Sequence, residues 1–482
     1  MAVDATTVWE VRSTGSDNNG GGYSSGGTDW TQQNSPQYAF TGATSLTSAG
    51  AGNVVLCPTA SSDMIGNVIH VISGTNFTSG LTAFFPINSI VAGVSFTCGT
   101  NIAGASISTG VGVAGVANIG GALKLDSAST GADTILENAQ PGNTWHIMGG
   151  SGPISYTING AVSLSVAGTN LLPIKIIGNG GTRGDNPSTV SGLQPILNFG
   201  VNTLTSGTYW RHEYIGVTGT PATLVTAQGG SGFYKCKITN TSGSTNRIAL
   251  SLNGSESFAI ECDLSSTLGK SISVSNANTL TFGCYLHDCQ NGFYSTVSSL
   301  AADCINNIIN NCSVAGINIA TAVTGQLNII GNTIYGAETP AGTGVLAVTG
   351  STDIKFFNNI VYGWTTGLNQ TDTNTSIVSK YNNVFNCTTA RTNWAADSTD
   401  IALTPAFTDA PNGDFRVGAN MKAVGFPGVF PGGLSTGYKD IGAVQRKEDY
   451  PLANKVETGV SFGNGLTGTL SAGSAIIYMG NN

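Results

Sequence analysis

Three short stretches hold the residue types that acid–base chemistry needs: Glu213 beside His212, Glu261 and Asp263 on either side of Cys262, and Asp288 beside His287. A carboxylic acid held near a second carboxylate or an imidazole can protonate a leaving oxygen and activate a water. For an inverting enzyme acting on glycosidic bonds, two carboxyls must stand about 6.5–9.5 Å apart. In each stretch the acid alternates with apolar neighbours, which turns it outward as a solvated charge. Glu213, Asp263 and Asp288 are thus the catalytic candidates, set against the plainer role of surface charges. His70 and His146 lie in β-rich stretches with no acid or cysteine close in sequence, and read as packed or hydrogen-bonded. Tyr335, Tyr362, Trp364 and Trp394 are able to line a glycan groove; core or subunit interface is the favoured role.

The nine cysteines are an odd set without C-x-x-C spacing. They suit neither a disulfide framework nor a zinc site, so reduced thiols are expected and no metal or other cofactor is implied. No P-loop occurs, and glycine-rich runs such as SDNNGGGYSSGG at 16–27 sit in loops with no helix after them.

A repeat positions these residues. Long 3.6-period apolar stripes are missing, and short strands bounded by Gly, Asn, Ser and Thr recur from about 130 to 390. The clearest are YKCKI at 234–238, IECDL at 260–264, FGCYL at 282–286, CINNII at 304–309, IIGNTI at 329–334, FFNNIV at 356–361 and SKYNNVF at 379–385. Matching Cys236, Cys262, Cys284, Asn306, Gly331, Asn358 and Tyr381 gives steps of 26, 22, 22, 25, 27 and 23 residues. That length suits three short strands and their turns, one coil of a parallel β-solenoid. A second strand follows in several coils, at GFYSTV 292–297, GINIA 316–320, GVLAV 344–348 and GLNQT 367–371, each opened by a glycine that suits a corner with positive φ. Stacked coils place like residues above one another. Asn307, Asn332, Asn359 and Asn383 are expected to form a buried amide ladder, and Cys236, Cys262 and Cys284 a column of small buried hydrophobes. Before the rod, NVIHVISG at 67–74 and SIVAGVSFTC at 89–98 suggest antiparallel pairing. We read 1–34 as a segment leading into the rod, 35–125 as an inserted β-module, 130–445 as the β-helix and 446–482 as a C-terminal tail.

Composition supports a folded, polar, weakly charged chain. Of 482 residues, 67 are glycine and only 9% are charged, yet 40% are hydrophobic, which argues against disorder. The 18 basic residues against 26 acidic ones give a net charge of −8 with no basic run, so no nucleic-acid partner is expected. No uninterrupted apolar stretch is long enough to cross a bilayer as a helix, and no membrane insertion is expected. The start MAVDATTVWE lacks the basic and apolar regions of a secretion signal, and the expectation is synthesis in a cytoplasm.

The coils over roughly 130 to 445 resemble the right-handed parallel β-helix, or pectate-lyase-like, superfamily. The closing LTPAFTDAPNGDFRVGANMKAVGFP at 403–427 with DIGAVQ at 440–445 is similar to an ending common in β-helix-repeat proteins. VWEVRSTGSDNNGGGY followed by TDWTQQ resembles the start of bacteriophage β-helix proteins, and NKVETGVSFGNGLTGTL at 454–470 a module at the ends of phage structural proteins. The resemblance implies an all-β fold: a right-handed parallel β-helix, a small N-terminal antiparallel β-module and a C-terminal β tail. It also implies a virion protein, made in the host cytoplasm and displayed on the particle's outer surface as a head decoration or a tail spike or fibre. Its partners would be two further copies in a homotrimer, other capsid or tail proteins, and a bacterial surface glycan. The apolar AIIYMG at 475–480 is expected to pair with a neighbouring subunit or the particle. The alternative is a tailspike-type polysaccharide lyase or hydrolase. Against it, the Asp-Asp pair, Gly-His-Gly and Arg-Ile-Lys of polygalacturonases are missing, as is any close acid cluster resembling the pectate-lyase calcium site.

Overall fold

The computed structural model describes residues 5–41, 46–80, 82–101, 103–125, 139–150, 154–185, 187, 193–296, 301–321, 325–336, 341–348, 353–371, 376–421, 424–425, 440–444, 461–462 and 466–467. The chain divides into two units, residues 1–279 and 280–482.

In the first unit, Val8–Val11 pairs in parallel with Thr144–Met148, and that strand with Ile174–Asn179. Trp210–Glu213, Gly232–Tyr234 and Phe258–Ile260 continue the same column. A second column takes two strands from most coils, such as Gly216–Gly219 with Thr223–Ala227 and Lys237–Asn240 with Arg247–Leu252. Register is set by the inward row. Trp9, Trp145, Ile176, His212, Phe233 and Ala259 are successive partners and all are buried. A slip of one residue would turn the whole row to solvent. Trp9 and Trp145 stack with centroids 4.9 Å apart and planes within 7°.

Between Val8–Val11 and Thr144–Met148 in sequence lies a seven-stranded antiparallel sheet, from Tyr38–Phe40 to Ser108–Ile119. It has its own core, with Phe40, Leu46, Ile69, Phe85 and Phe96 at its centre. The chain between this sheet and Thr144, where the sequence suggests that the rod resumes near 130, lies in part outside the described residues.

The second unit repeats the coil. Ala302–Ile305, Gln326–Ile330, Asp353–Phe357 and Ile377–Lys380 pair in parallel as one column. Tyr285–Ser295, Ile308–Ile319, Thr333–Tyr335, Ile360–Tyr362 and Asn383–Phe385 pair in parallel as the other. After the last of these coils, the segment 399–421 with 440–444 returns along the coil wall. Ile441 is buried against Ile360 and Met421, and Gly442 donates its N–H to the Asn358 carbonyl at 2.9 Å.

The turn between columns has one geometric signature. Tyr214, Lys235 and Glu261 in the first unit, and Gly283, Asn306, Gly331, Asn358 and Tyr381 in the second, all sit at φ between 50° and 68°. Only Gly, and less readily Asn, adopts this conformation cheaply; the others cost roughly 1–2 kcal/mol each. The residue after each one points inward. This corrects the sequence alignment, in which Cys284 stands opposite Asn306; its true equivalent is Asn307, so the cysteine and asparagine columns are a single coil position. It also corrects the last rung of the ladder. Asn307, Asn332 and Asn359 are followed by Asn382, while Asn383 lies one residue on, within its strand and opposite Ile360.

The glycines that open the second strands are a further correction. Gly292, Gly316, Gly344 and Gly367 are not in the positive-φ region. They are small because the neighbouring coil is close: a Cβ on Gly344 would lie 2.5 Å from a Val361 methyl and 2.6 Å from the Gly367 carbonyl oxygen.

Candidate functional site

The asparagine column is a hydrogen-bond machine for the coil turn. Each Oδ1 accepts both the backbone N–H and the side-chain N–H of the preceding rung: Asn307 on Asn332 at 2.8 and 3.0 Å, Asn332 on Asn359 at 2.9 and 3.0 Å, Asn359 on Asn382 at 2.9 and 3.1 Å. The second amide proton goes to a carbonyl one coil back, as from Asn332 to Cys304 at 2.8 Å. Every donor in this buried column therefore has an acceptor. Asn383 instead clasps Leu403, accepting its N–H and donating to its carbonyl, both at 2.9 Å. Cys236 and Cys262 in the first unit, and Cys284 in the second, occupy the same coil position and are buried. Burial pushes the Cys236 thiol well above its ordinary range. Cys289 and Cys312 are register partners with Sγ atoms 2.8 Å apart.

Each of the three carboxylate candidates has its own surroundings. Glu213 is half-buried at the end of Trp210–Glu213, close enough to support the charge of Arg211. Asp263 opens its strand opposite Lys237 and lies 3.3 Å from its Nζ. Glu261 pairs with Lys235, also at 3.3 Å. Asp288 is exposed at φ 48°, its Oδ2 2.8 Å from His287 Nδ1 and its Oδ1 accepting from Asn311 at 2.6 Å. His212 is part of the inward row, with Phe233 stacked on it at 4.5 Å and Ser206 Oγ 2.9 Å from its Nε2. Burial, with Arg211 adding to it, pushes His212 down to about 3. Among the described residues, no group of three His, Cys, Asp or Glu is arranged to hold a metal ion.

A charged cluster that sequence proximity does not reveal sits in the first unit. Glu10 is fully buried and its carboxylate receives Arg12 at 2.6 Å and the Nε of Arg183 at 3.0 Å. Arg183 also reaches Asp29 at 2.9 Å and Thr31 Oγ1 at 2.7 Å. Burial pushes the Asp29 carboxyl up, but the Thr31 hydroxyl and amide, with Arg183, outweigh it and hold the group below its ordinary value. His146 faces Asn179, Nδ1 to Nδ2 at 3.0 Å; burial and then the charge of Arg183 push it down to about 4. All three guanidinium nitrogens of Arg183 are engaged, so the group ties three distant segments together.

A pocket of about 240 Å³ opens in the second unit against an aromatic ladder. Tyr335, Tyr362 and Phe385 are successive register partners at the outer ends of their strands. The tyrosine rings are parallel within 2°, centroids 5.4 Å apart. The closing segment lays Phe407 edge-on to both, at 5.8 Å from each, and Phe415 against Tyr335 at 5.4 Å. Thr404, Thr408 and Asp409 supply polar lining. Of the four aromatic candidates, Tyr335, Trp364 and Trp394 are buried, and Tyr362 is half-buried; Tyr335 and Tyr362 border this pocket.

Parallel strands stacked coil upon coil, with crossovers of the right hand that parallel connections take, define a right-handed parallel β-helix protein. No family model matches the chain, and no curated protein matches it. Among solved structures it is similar to pectate lyase Pel9A, with 14% identity, TM-score 0.48, and 65% of this chain and 90% of that one covered. It is also similar to the tailspike protein gp49 from Pseudomonas phage LKA1, with 10% identity, TM-score 0.23, and 72% and 63% covered. A third is the PL6 family alginate lyase AlyGC, with 14% identity, TM-score 0.38, and 52% and 37% covered.

Proposed function

We propose that this chain is a structural protein of a bacteriophage particle, a homotrimeric β-helical appendage on the outer surface that holds a bacterial surface glycan without cutting it. The observation that carries the reading is that two of the three candidate carboxylates, Asp263 and Asp288, are already engaged. Asp263 is neutralised by Lys237, and Asp288 is tied to His287 and Asn311. Such exposed pairs add little stability, and an acid held in one serves as a solvated surface charge. The amide ladder fits a durable rod.

The test is the full-length protein, its native mass measured and then mixed with purified bacterial surface polysaccharides. The expected result is an assembly of about three times 49.0 kDa that binds a polysaccharide with no new reducing ends and no unsaturated uronate absorbance. Cleavage abolished by Glu213→Ala or Asp288→Ala would overturn the reading. A second reading, a polysaccharide lyase or hydrolase, draws on one specific feature, the Glu10 and Asp29 carboxylates gathered at Arg183. It requires cleavage that Asp29→Asn abolishes. The tail segment AIIYMG, expected to make the trimer or particle contact, lies outside the described residues; removal of residues 448–482 tests it by loss of the trimer.

A further inference from the structure

We infer that Cys289 and Cys312 are a modification site, a pair of thiols placed to form a disulfide that staples two neighbouring coils of the second unit. They are register partners on Tyr285–Ser295 and Ile308–Ile319, and their sulfurs are in direct contact at 2.8 Å. Both thiols are free and buried. Neighbouring strands of a sheet lie about 4.7–4.9 Å apart, inside the roughly 4.4–6.8 Å between Cα atoms that a disulfide spans. The backbone therefore already has the right spacing, and only the sulfurs have to move. Gly292 leaves them room: a Cβ there would lie 3.3 Å from Cys312 Sγ. The two coils are also tied on both sides of the pair, by the Asn311 amide on Asp288 at 2.6 Å and the Asn318 amide on Asn291 at 3.0 Å, which keeps the sulfurs opposite each other.

The oxidant is a small disulfide such as glutathione disulfide. One cysteine thiolate attacks it and releases one glutathione; the other attacks the mixed disulfide so formed and releases the second. The two protein sulfurs lose two protons and two electrons, and the oxidant takes up both. Burial raises the Cys312 thiol well above its ordinary range, with Cys289 adding to it, so the pair stays protonated in reducing surroundings. Asp288 and Asn311, which precede the two cysteines, are exposed, so local opening of a turn admits the oxidant. Cys236 and Cys262 also lie in consecutive coils, but their thiols are aimed at backbone carbonyls, His212 and Tyr234 for one and Phe233 and Ile260 for the other. A chain made in a cytoplasm and then displayed outside a cell, as proposed above, would close the Cys289–Cys312 staple on leaving the reducing compartment.

The experiment uses the full-length protein purified with reductant and carrying Cys387→Ser, so that the half-buried thiol takes no adduct. Freed of reductant, it is held with glutathione disulfide at about pH 8, once as the native protein and once while refolding from urea. In at least one arm the expected product is two hydrogens lighter, and of the eight thiols left from nine, six react with Ellman's reagent in urea. A non-reducing digest should link the peptides that hold Cys289 and Cys312, and the urea midpoint should rise and fall back on reduction. Cys312→Ala removes both the link and the rise. Eight reactive thiols in both arms, or a link between Cys236 and Cys262 in place of this one, overturns the site. A Cys289–Cys312 link that leaves the urea midpoint where it was overturns the staple.

Discussion

Asn382 donates its backbone N–H and its side-chain amide to a single oxygen of Asp400, at 2.8 and 3.2 Å. Asp400 thereby ends the ladder that begins at Asn307. Each rung needs an acceptor from the next coil, and where the coils stop a carboxylate from the closing turn supplies it. Arg391 and the Asp397 N–H hold the other oxygen, at 3.0 and 3.1 Å. Removing this carboxylate strands buried donors. Asp400→Ala is expected to lower stability by about 1–3 kcal/mol, and Asp400→Asn by less, since an amide oxygen still accepts from Asn382. Urea midpoints of the two variants decide it; equal losses would show that the charge, not the acceptor, matters.

The repeat was legible in the sequence because Asn, Cys and Gly recur at the turn, and the ladder was off by one where they do not. Tyr381 holds the positive-φ position that Asn358 and Gly331 hold in the preceding coils, and a tyrosine does not announce that conformation. The doublet Asn382-Asn383 then offers two candidates for one rung, and only the hydrogen bonds choose between them. Trp364 and Trp394 carry no sequence mark that separates them from Tyr335 and Tyr362; the difference is that each lies just past the end of a strand, Ile360–Tyr362 or Thr389–Thr392, with its ring buried. The Arg183 cluster was invisible for another reason. Its members at 10, 29 and 183 are brought together by coil closure, and no local spacing encodes that.

Arg183 also makes a sharp prediction. Glu10 is fully buried, and without Arg183 it keeps only Arg12 as a cationic partner. Arg183→Ala should cost about 3–5 kcal/mol, the penalty of a buried charge left partly unpaired. Arg183→Lys should recover only part, because a point charge cannot reach Glu10, Asp29 and Thr31 together. Thermal melting of the two variants is the check, and a neutral outcome for Arg183→Ala would contradict the burial of Glu10.

The glycine column predicts a steric penalty without a conformational one. Gly344 has a backbone that alanine can adopt, yet its Cβ would meet Val361 and the Gly367 carbonyl. Gly344→Ala should destabilise by about 1–3 kcal/mol. The double variant Gly344→Ala with Val361→Ala should recover part of that loss, since Val361 is the movable neighbour. Recovery is read from the coupling energy of the cycle.

The thiols are expected to react in order of exposure. Eight cysteines are buried, and Cys387 alone is half-buried. Burial raises the Cys387 thiol too, but it is the one a reagent can reach. Ellman's reagent on the native protein at pH 8 should titrate about one thiol quickly and the rest only on unfolding. Cys387→Ser should remove the fast phase.

The pH dependence follows from histidines that the fold keeps neutral. Burial, with Arg183 adding to it, pushes His146 down to about 4, and burial with Arg211 takes His212 to about 3, against roughly 6.5 in an unfolded chain. Between those values the unfolded chain binds protons that the folded one refuses, so stability is complete above about pH 6.5 and declines as the pH falls toward 4. Asp29 acts in a different window. Its carboxyl is held below the ordinary value, so its contribution persists above that value and disappears only as the pH falls through the lower folded one. From pH 7 to 4.5 the decline expected from these groups is that of the histidines, His70 among them, since burial holds it down as well. His146 is half-buried, and its share is on the order of 1–2 kcal/mol after allowance for solvent screening. His146→Gln keeps a partner for Asn179 and has no proton to gain. Its urea midpoint should change less than that of the natural chain between pH 7 and 4.5, and an identical slope in both would place the pH dependence elsewhere.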